Sequence, residues 1–302
     1  MKRVLVTGAT GFIGRHSLAV LLAAGYEVHA ATIEPPPVEP SGVFWHHADL
    51  LDTQQVSDLL AAVRPSHLLH FAWYATPGRY WIAPENLQWV QASLALLRAF
   101  AQTGGQRVVM AGTCAEYDWN YGFCSEAITP LAPRTLYGVC KHALQMMLSH
   151  FTRDNHINSA WGRVFFLYGP HERPERLVPT VIRSLLRSEP ALCSHGNQVR
   201  DYLHVQDVAS AFVALLDSPV TGPVNIASGQ AVRLKDMMYA IAGKTDQTQL
   251  VRLGAIPTPS DEPPFLVADV RRLRDEVGWQ PHFDLAAGID QTIDWWRRNL
   301  MG

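Results

Sequence analysis

The 302-residue chain has few charged side chains and almost no net charge. Asp, Glu, Lys and Arg make up 17% of its residues, and 25 basic against 27 acidic side chains leave a formal net charge of −2. Hydrophobic residues make up 48%, so the apolar surface suffices for a core and a disordered, charge-rich chain is excluded. Because no broad basic face is available, we expect no nucleic-acid partner.

Cysteine is also scarce, and long apolar runs are absent. The chain has four cysteines and no Cys-x-x-Cys pair, which indicates reduced thiols and a cytoplasmic location. Glycines between Gly8 and Gly14 interrupt the apolar stretch after the basic amino terminus, unlike a signal peptide. No run approaches the roughly 18 apolar residues of a membrane span, so no membrane contact is expected. The adjacent His46 and His47 lack carboxylates or cysteines at metal-ligand spacing, so we expect no metal site.

Strand and helix patterns alternate through the first half of the chain. Short apolar runs rich in β-branched residues predict strands, and stretches of helical period lie between them. The predicted strands are Val4–Val6, Glu27–Thr32, Val43–Trp45, His67–Phe71, Arg107–Ala111 and Ser159–Phe166, and the predicted helices are Ile13–Ala24, Thr53–Val63, Asn86–Gln102 and Leu136–Phe151. Repeated β-α-β units predict an α/β fold, in which a doubly wound parallel sheet carries helices on both faces.

The pattern changes after Gly169-Pro170, where proline and glycine become frequent and the strict alternation is lost. At roughly 150 residues per domain, the chain length favours two domains. We therefore predict one domain over residues 1–170 and a smaller α/β domain over residues 171–302. Residues 199–217 are expected to return to the first domain, so that the two domains are interleaved.

A glycine-rich segment, Thr7-Gly-Ala-Thr-Gly-Phe-Ile-Gly14, lies directly between the first predicted strand and the first predicted helix. Gly8 permits a tight turn, Gly11 lets the backbone approach a pyrophosphate, and Gly14 allows close packing of helix and strand. Amides at the helix start would then face the anion, which indicates a Rossmann-type dinucleotide site. The residues predicted to form it are Gly8, Gly11, Phe12, Ile13, Gly14 and Arg15.

The end of the second predicted strand bears on the choice between NAD and NADP. An acidic residue about 20 positions after the start of the glycine motif would bind the ribose 2′-hydroxyl of NAD. Thr32 takes that position, which removes a repulsion against the 2′-phosphate of NADP, and Arg15 could reach such a phosphate. Glu34 could instead bind the ribose. The sequence favours NADP, with NAD as the alternative.

The segment Tyr137-Gly-Val-Cys-Lys141 places a phenol and an ammonium one helical turn apart, on one face of a predicted helix. The pKa of tyrosine is ordinarily about 10, so ionisation near pH 7 requires about 4 kcal/mol of stabilisation. A neighbouring ammonium and an oxidised nicotinamide would supply it, and the phenol could then exchange a proton with a substrate oxygen. Thr113 follows a buried strand at its carboxyl end, where ligands bind in open sheets. Thr113, Tyr137 and Lys141 are therefore the predicted catalytic residues.

These motifs resemble those of the extended short-chain dehydrogenase/reductase superfamily, and within it the NAD(P)-dependent epimerase/dehydratase family that acts on nucleotide sugars. The resemblance covers the whole chain. Besides the glycine loop and the Tyr-x-x-x-Lys pair, it is carried by the segments Asp49-Leu50, His70-Phe-Ala72, Gly112–Tyr117, Arg163–Pro170 with Phe166 where Asn is usual, Gly196–Ala209, Asn225–Gly229 and Ala268–Pro281.

The resemblance implies contacts to two ligands, a nicotinamide dinucleotide and a nucleotide sugar. Asp49, with Leu50 beside it, would bind the adenine, and Phe71 and Ala72 would lie beside the cofactor ribose. Arg200 would bind the diphosphate of the sugar nucleotide through its bidentate guanidinium. The aromatic loop Phe71–Trp81, which includes Tyr80 and Trp81, is expected to face the cleft and to shape the sugar pocket. The other predicted substrate contacts are Trp73, Tyr74 and Arg79 in this loop, Glu116, Phe166, Arg176 and Arg252. The alternative for the aromatic loop is a packed surface without contact to substrate, and the alternative for Glu116 is a structural role.

The resemblance leaves several reactions open. The 4,6-dehydratases of the family carry an Asp-Glu pair directly after the catalytic Thr, but Cys114 and Ala115 stand here, so dehydration is not expected. Thr32 favours an oxidoreductase of deoxysugar biosynthesis that reduces a 4-keto-6-deoxyhexose at C4. The alternative is a 4-epimerase with tightly bound NAD. A non-enzymatic dinucleotide sensor is a second alternative, which the complete catalytic set disfavours.

Two predicted helices also suggest a homodimer. The corresponding helices of the family pair across a twofold axis into a four-helix bundle, so a dimer is implied by the resemblance, with ordinary packing on the sheet as the alternative. The apolar residues on these helices are Leu87, Val90, Leu94, Leu97, Ala143, Met146 and Met147.

Overall fold

A seven-stranded parallel sheet lies at the centre of the larger part of the protein. The computed structural model describes residues 2–35, 40–258 and 262–300. Within these ranges the strands are β1 (Arg3–Thr7), β2 (Glu27–Thr32), β3 (Val43–His47), β4 (His67–His70), β5 (Arg107–Thr113), β6 (Phe123–Cys124), β7 (Asn158–Val164), β8 (Phe166–Tyr168), β9 (Ala191–Leu192), β10 (Val199–Arg200), β11 (Tyr202–His204), β12 (Gly222–Ile226), β13 (Val232–Arg233), β14 (Val251–Arg252) and β15 (Phe265–Ala268). The α-helices are α1 (Gly14–Ala23), α2 (Thr53–Val63), α3 (Glu85–Gln102), α4 (Leu136–Asp154), α5 (Leu177–Leu186), α6 (Val205–Asp217), α7 (Leu234–Lys244) and α8 (Leu285–Leu300).

The strand order in the large sheet is β12-β7-β5-β4-β1-β2-β3, and every neighbouring pair is parallel. After β3 the chain crosses back to place β4 on the other side of β1. The carboxyl ends of β1 and β4 therefore meet where the strand order reverses, and Thr7 lies beside His70 in this register. Open α/β sheets bind their ligands at such a switch point.

Helices cover both faces of the sheet. Val4 and Val6 of β1 pack in one core with residues of α1 and α6, including Phe212. Leu5 packs in the opposite core with residues of α2, α3 and α4. Successive side chains of a strand point to opposite faces, so the uninterrupted apolar run of β1 is what a strand buried on both sides requires. The predicted doubly wound parallel sheet is confirmed.

A smaller α/β region follows β8. Its main sheet has the order β13-β10-β15-β6, with parallel and antiparallel pairs. Helices α5, α7 and α8 form a separate core that contains Ile182, Ile241 and Ile289. β6 comes from the first half of the chain, whereas β11 and α6 come from the second half and lie against β8 and the large sheet. The chain is thus interleaved in both directions.

The return to the large sheet extends further than residues 199–217. β12, which the prediction assigned to the smaller region, pairs with β7 at one edge of the large sheet. Val224 and Ile226 are fully buried there, so apolar burial explains why the chain continues into the sheet. Across the residues that the structure describes, no helix is both long and apolar enough to cross a membrane.

Candidate active site

The loop between β1 and α1 packs against the end of β4 without room for side chains. Gly8 has a φ of +66°, and a Cβ on it would lie 2.7 Å from the backbone nitrogen of Ala72. A Cβ on Gly14 would overlap the carbonyl oxygen of Gly8. In this fully described segment, α1 begins without a side-chain cap at Ile13, so amides of its first turn stay available to an anion. The cradle fits the pyrophosphate of a dinucleotide.

The strand ends bring the other predicted cofactor residues close to this loop. Phe71 donates its backbone N–H to the carbonyl of Thr7 at 3.1 Å, and the hydroxyl of Thr7 lies 2.6 Å from Nδ1 of His70. Burial lowers the pKa of His70 to about 3, so its ring is neutral. The hydrogen bond with Thr7 links β4 to β1. At the other edge, Asp49 and Leu50 follow β3, where the Asp49 carboxylate accepts a local backbone hydrogen bond.

Arg15 and Thr32, which bear on the choice of coenzyme, are both engaged within the protein. The Arg15 guanidinium donates to the carbonyl of Thr10 at 2.7 Å, and its Nη1 lies 2.5 Å from Nδ1 of His171. Burial lowers the pKa of Arg15, and the carboxylate of Glu34 partly opposes this effect. The Thr32 hydroxyl accepts the backbone N–H of Glu34 at 3.0 Å. Glu34 after β2 and Arg15 on α1 thus bring charges of opposite sign to this part of the site, and the preference for NADP stays a prediction.

The structure brings Thr113, Tyr137 and Lys141 together. The Lys141 ammonium donates to the carbonyl of Ala111 at 2.8 Å and lies 3.7 Å from the centre of the Trp73 ring. Burial lowers the pKa of Lys141 to about 7. Burial also raises the pKa of the Tyr137 phenol, against which a hydrogen bond with Thr113 acts. Tyr137 is therefore protonated at neutral pH, and the ammonium alone does not ionise it.

Local geometry fixes the helix that carries this pair. The Thr135 hydroxyl caps α4 by accepting the backbone N–H of Gly138 at 3.1 Å. A Cβ on Gly138 would lie 2.5 Å from the carbonyl oxygen of Ala115, so glycine lets α4 approach the loop after β5. The backbone N–H of Tyr137 donates to the carbonyl of Trp81 at 3.1 Å. These contacts hold Tyr137 beside the end of β5.

Aromatic side chains of the loop after β4 surround Tyr137. The rings of Trp73, Tyr80 and Trp81 have their centres 6.5, 5.0 and 5.8 Å from the Tyr137 ring. They shield the phenol from water, which is the physical cause of its raised pKa. Tyr80 and Trp81 belong to the aromatic loop that the sequence predicts to face the cleft, and the structure places both rings against Tyr137. Arg79 in the same loop is exposed.

Glu116 does not line the cleft, and the prediction that it contacts substrate is wrong. Its side chain is fully buried. One carboxylate oxygen accepts from the backbone N–H of Thr113 at 2.9 Å and from the Trp161 indole at 2.8 Å. The other accepts from Nε of Arg163 at 2.8 Å. Both oxygens are satisfied inside the protein, so the structural alternative holds.

Arg200 is buried in the smaller region and paired with an acid. Its guanidinium donates to the Glu262 carboxylate at 2.8 Å and lies over the Phe166 ring, 5.3 Å from its centre. The structure therefore brings two predicted substrate residues together, Arg200 and Phe166. A substrate diphosphate at this guanidinium would compete with Glu262.

Arg176 lies nearer the aromatic loop. Burial raises the pKa of Tyr80, and the charge of Arg176 acts to lower it. Its Nε is 4.0 Å from the carboxylate of Glu172. Burial raises the pKa of Glu172 to about 8, and no sequence motif pointed to this acid. Tyr74 is partly buried, and its substrate contact stays a prediction.

Arg252 lies apart from these residues. It belongs to β14, which pairs only with β9 in the described sheets, and its side chain is exposed. Its guanidinium donates to the nearby carbonyl of Gln249 at 2.5 Å. Its substrate contact stays a prediction.

Comparisons with known proteins agree with this geometry. The UDP-glucose 4-epimerase of Azospirillum brasilense is 28% identical, over 99% of this chain and 92% of its own. The dTDP-glucose 4,6-dehydratase of Xanthomonas campestris pv. campestris is 28% identical, over 99% of this chain and 94% of its own. The solved structure of MoeE5 in complex with UDP-glucuronic acid and NAD is 30% identical, with a TM-score of 0.85 and coverage of 98% of this chain and 99% of that one.

Two of these similar proteins, an epimerase and a dehydratase, catalyse different reactions, so they identify only the type of enzyme. The NAD in the MoeE5 complex supports a nicotinamide dinucleotide as cofactor. A family model described as the NAD dependent epimerase/dehydratase family matches residues 4–227, from β1 to the end of β12. The chain is therefore an enzyme of the NAD-dependent epimerase/dehydratase family.

Proposed function

We propose that this enzyme reduces a nucleotide-linked 4-keto-6-deoxyhexose at C4. The observation that carries the proposal is the composition of the site, in which the two residues after Thr113 cannot supply a second acid and base beside Tyr137. Cys114 and Ala115, which follow Thr113, are both buried. Burial raises the pKa of the Cys114 thiol, so it stays neutral at pH 7. Elimination of water would require additional acid–base groups beside the hexose, whereas reduction requires one proton donor.

The Tyr137 phenol is that donor. Its proton passes to the C4 oxygen as the carbonyl becomes an alcohol. The Thr113 hydroxyl accepts from the backbone N–H of Ala115 at 3.2 Å, and its single O–H, which faces Tyr137 in the free protein, would donate to the same oxygen once substrate binds. The Lys141 ammonium stabilises the phenolate that remains. The reduced dinucleotide, when bound in the glycine cradle, supplies the hydride.

The coenzyme in this proposal is NADP, because the end of β2 has Thr32 in place of an acid. NAD is the alternative, supported by the presence of NAD in the MoeE5 complex. Purifying the enzyme and identifying its retained dinucleotide by mass spectrometry tests the choice, together with titration of the apoenzyme with NADPH and NADH. A tenfold preference for NADH would overturn the assignment.

We further propose that the nucleotide sugar binds between two parts of the protein. One part is residues 1–170 together with the returning segment, residues 199–217, and the other is the smaller region within residues 171–302. Arg200 would bind its diphosphate and release Glu262. A guanidinium forms two parallel hydrogen bonds with a phosphate as it does with a carboxylate, so the phosphate can take the place of the Glu262 carboxylate. Replacing Arg200 by Met should weaken the binding of dTDP and UDP while leaving dinucleotide binding unchanged. Equal nucleotide binding by the variant would contradict this role.

A nucleotide-sugar 4-epimerase is the second candidate, favoured by the similarity to UDP-glucose 4-epimerases. An epimerase begins with oxidation at C4, and Tyr137 would then have to accept a proton. Its raised pKa disfavours the phenolate at neutral pH in the protein alone, which is why reduction ranks first.

One experiment separates these activities. The enzyme is incubated with NADPH or NADH and the UDP-, dTDP-, GDP- and CDP-linked 4-keto-6-deoxyglucose, and the loss of reduced nicotinamide is followed by absorbance. A parallel sample receives UDP-glucose with NAD and is analysed for UDP-galactose. Coenzyme oxidation with a keto sugar supports the reductase, and UDP-galactose supports the epimerase. Tyr137→Phe should abolish either activity and keep coenzyme binding. Coenzyme binding without turnover in every sample would favour the sensor.

We also propose a homodimer through α3 and α4. Leu87, Met146 and Met147 are exposed on these helices, whereas Leu97 is buried in the core, so Leu97 does not belong to the predicted face. Light scattering should give a dimer, and Met146→Glu should shift it towards monomer because a charge would be buried in an apolar interface. A monomeric wild type would contradict the proposal.

A further inference from the structure

A buried ion pair lies directly beneath the catalytic loop and has no role in the chemistry described above. The side chains of Glu116 and Arg163 are 0% and 1% exposed, and their charged atoms are 2.8 Å apart. Removing two charges from water costs much of what their attraction returns. Such a pair is therefore weak evidence of added stability, and its contacts indicate another purpose.

The pair holds the backbone of Thr113 through a capping box. The carboxylate of Glu116 accepts the backbone N–H of Thr113 at 2.9 Å, while the Thr113 hydroxyl accepts the backbone N–H of Ala115 at 3.2 Å. One acceptor position of the hydroxyl is thereby occupied, and its O–H is left to donate elsewhere. The box fixes the place of the hydroxyl and occupies one of its two acceptor positions.

The space for this arrangement is tight. A Cβ on Gly112 would lie 2.6 Å from a carboxylate oxygen of Glu116 and would overlap the Trp161 indole nitrogen. The indole also donates to the same oxygen at 2.8 Å. Glu116 is consequently fixed by three donors from β5 and β7, and it cannot move without moving the end of β5.

The other end of the pair is anchored to the smaller region. Arg163 donates to the Tyr117 hydroxyl at 3.0 Å, which donates to the side chain of Asn225 at 2.8 Å. The amide of Asn225 donates to the carbonyls of Cys124 and Asp269, each at 3.0 Å. This chain of bonds joins β5 and β7 of the large sheet to β6 and to the residue that follows β15.

We infer that Glu116, held by Arg163, is a positioning residue that sets the Thr113 hydroxyl against the Tyr137 phenol and the substrate oxygen. The inference deepens the proposed C4 oxidoreduction and rests on it. The charge of Glu116 also reaches the catalytic pair, because it acts to raise the pKa of both Tyr137 and Lys141.

Two isosteric variants test the inference. Glu116→Gln keeps the shape of the side chain, removes its charge and places an amide donor against Arg163. We expect kcat to fall about 10- to 100-fold, as for a small misplacement of a reacting group, with the KM for coenzyme within about threefold. Tyr117→Phe is the matched control, because it breaks the same network beyond Arg163 and leaves the contacts of Glu116. A loss in the control equal to that in Glu116→Gln, or wild-type kcat in Glu116→Gln, would overturn the inference.

A second readout needs no substrate. In protein with isotope-labelled lysine, NMR gives the pKa of Lys141, assigned with Lys141→Arg. Glu116→Gln should lower that pKa below about 7, and Tyr117→Phe should leave it unchanged. If the wild type turns over none of the nucleotide sugars and the pKa of Lys141 shifts as expected, then the proposed function fails and the placement of Glu116 stands. An unchanged pKa in Glu116→Gln counts against the inference.

A third variant is used if Glu116→Gln, which leaves Arg163 without its anionic partner, does not fold. Trp161→Phe keeps the ion pair and removes one donor to Glu116. It should lower kcat with coenzyme binding retained, and an unchanged kcat would again overturn the inference.

Discussion

Replacing Glu172 by glutamine should remove a pH dependence from the stability of the folded protein. Glu172 lies in the turn before α5 and is 7% exposed. One of its carboxylate oxygens is buried and has no hydrogen-bond partner among the residues that the structure describes, and the nearest cation, Nε of Arg176, is 4.0 Å from the other. Burial raises the pKa of Glu172 from 4.5 to about 8, with the Arg176 charge opposing.

The sign and size of the effect follow from these two values. The folded protein holds a proton on Glu172 that the unfolded chain releases above pH 4.5, so the contribution to stability is complete below that pH. It is lost as the pH rises and is fully lost above about pH 8. At about 1.36 kcal/mol per pKa unit, the whole difference is about 5 kcal/mol, of which about 4 kcal/mol falls between about pH 5 and pH 9.

Urea unfolding at about pH 5 and pH 9 measures this difference. Glu172→Gln imitates the protonated acid, so the variant should gain stability relative to wild type at the higher pH. Glu175→Gln is the matched control, because Glu175 is exposed three positions away. If the Glu172→Gln and wild-type free energies of unfolding change in parallel, within about 0.5 kcal/mol, then Glu172 is ionised in the folded protein and the reasoning from its burial is wrong.

Three further predictions concern the cofactor site and the catalytic pair. Gly8→Ala should weaken dinucleotide binding about 100-fold or more, because a positive φ and backbone 2.7 Å from the new Cβ leave it no place; calorimetric titration with NADPH that gives wild-type affinity would contradict this. Thr32→Asp should shift the coenzyme preference towards NADH about tenfold or more, through the ribose contact and repulsion of the 2′-phosphate, as the ratio of kcat/KM values shows. Trp73→Leu should lower the pKa of Lys141 by about half a pH unit, since the lost cation–π contact is worth about 0.5–1 kcal/mol; Trp89→Leu is the control, and lysine NMR is the measurement.

The features that the sequence predicted well depend on neighbours along the chain. The glycine loop and the one-turn spacing of Tyr137 and Lys141 are both set within a few residues. Strand β2 and helix α2 have the predicted bounds, Glu27–Thr32 and Thr53–Val63. The spacing of apolar residues defines both elements locally, and Asp52 caps the start of α2.

The features that the sequence did not reveal depend on pairing across the sheet. Glu116 meets Trp161 and Arg163 only because β5 and β7 are neighbours in register. An isolated acid near a catalytic threonine has the same appearance in the sequence whether it faces the cleft or the core. The raised pKa of Glu172 likewise comes from its burial in the folded protein, which no local pattern in the sequence indicates.

The same tertiary effects bear on the direction of the reaction. The protein surrounds Tyr137 with three aromatic rings and gives it a lysine whose own pKa is lowered to about 7. At neutral pH this lysine is only partly charged, so it offsets the dry environment of the phenol only in part. A site built in this way begins with a proton on the tyrosine, and a proton donor is what a ketone needs as it becomes an alcohol. Oxidation would have to start from a phenolate that these surroundings disfavour, and this is the argument for the proposed reduction.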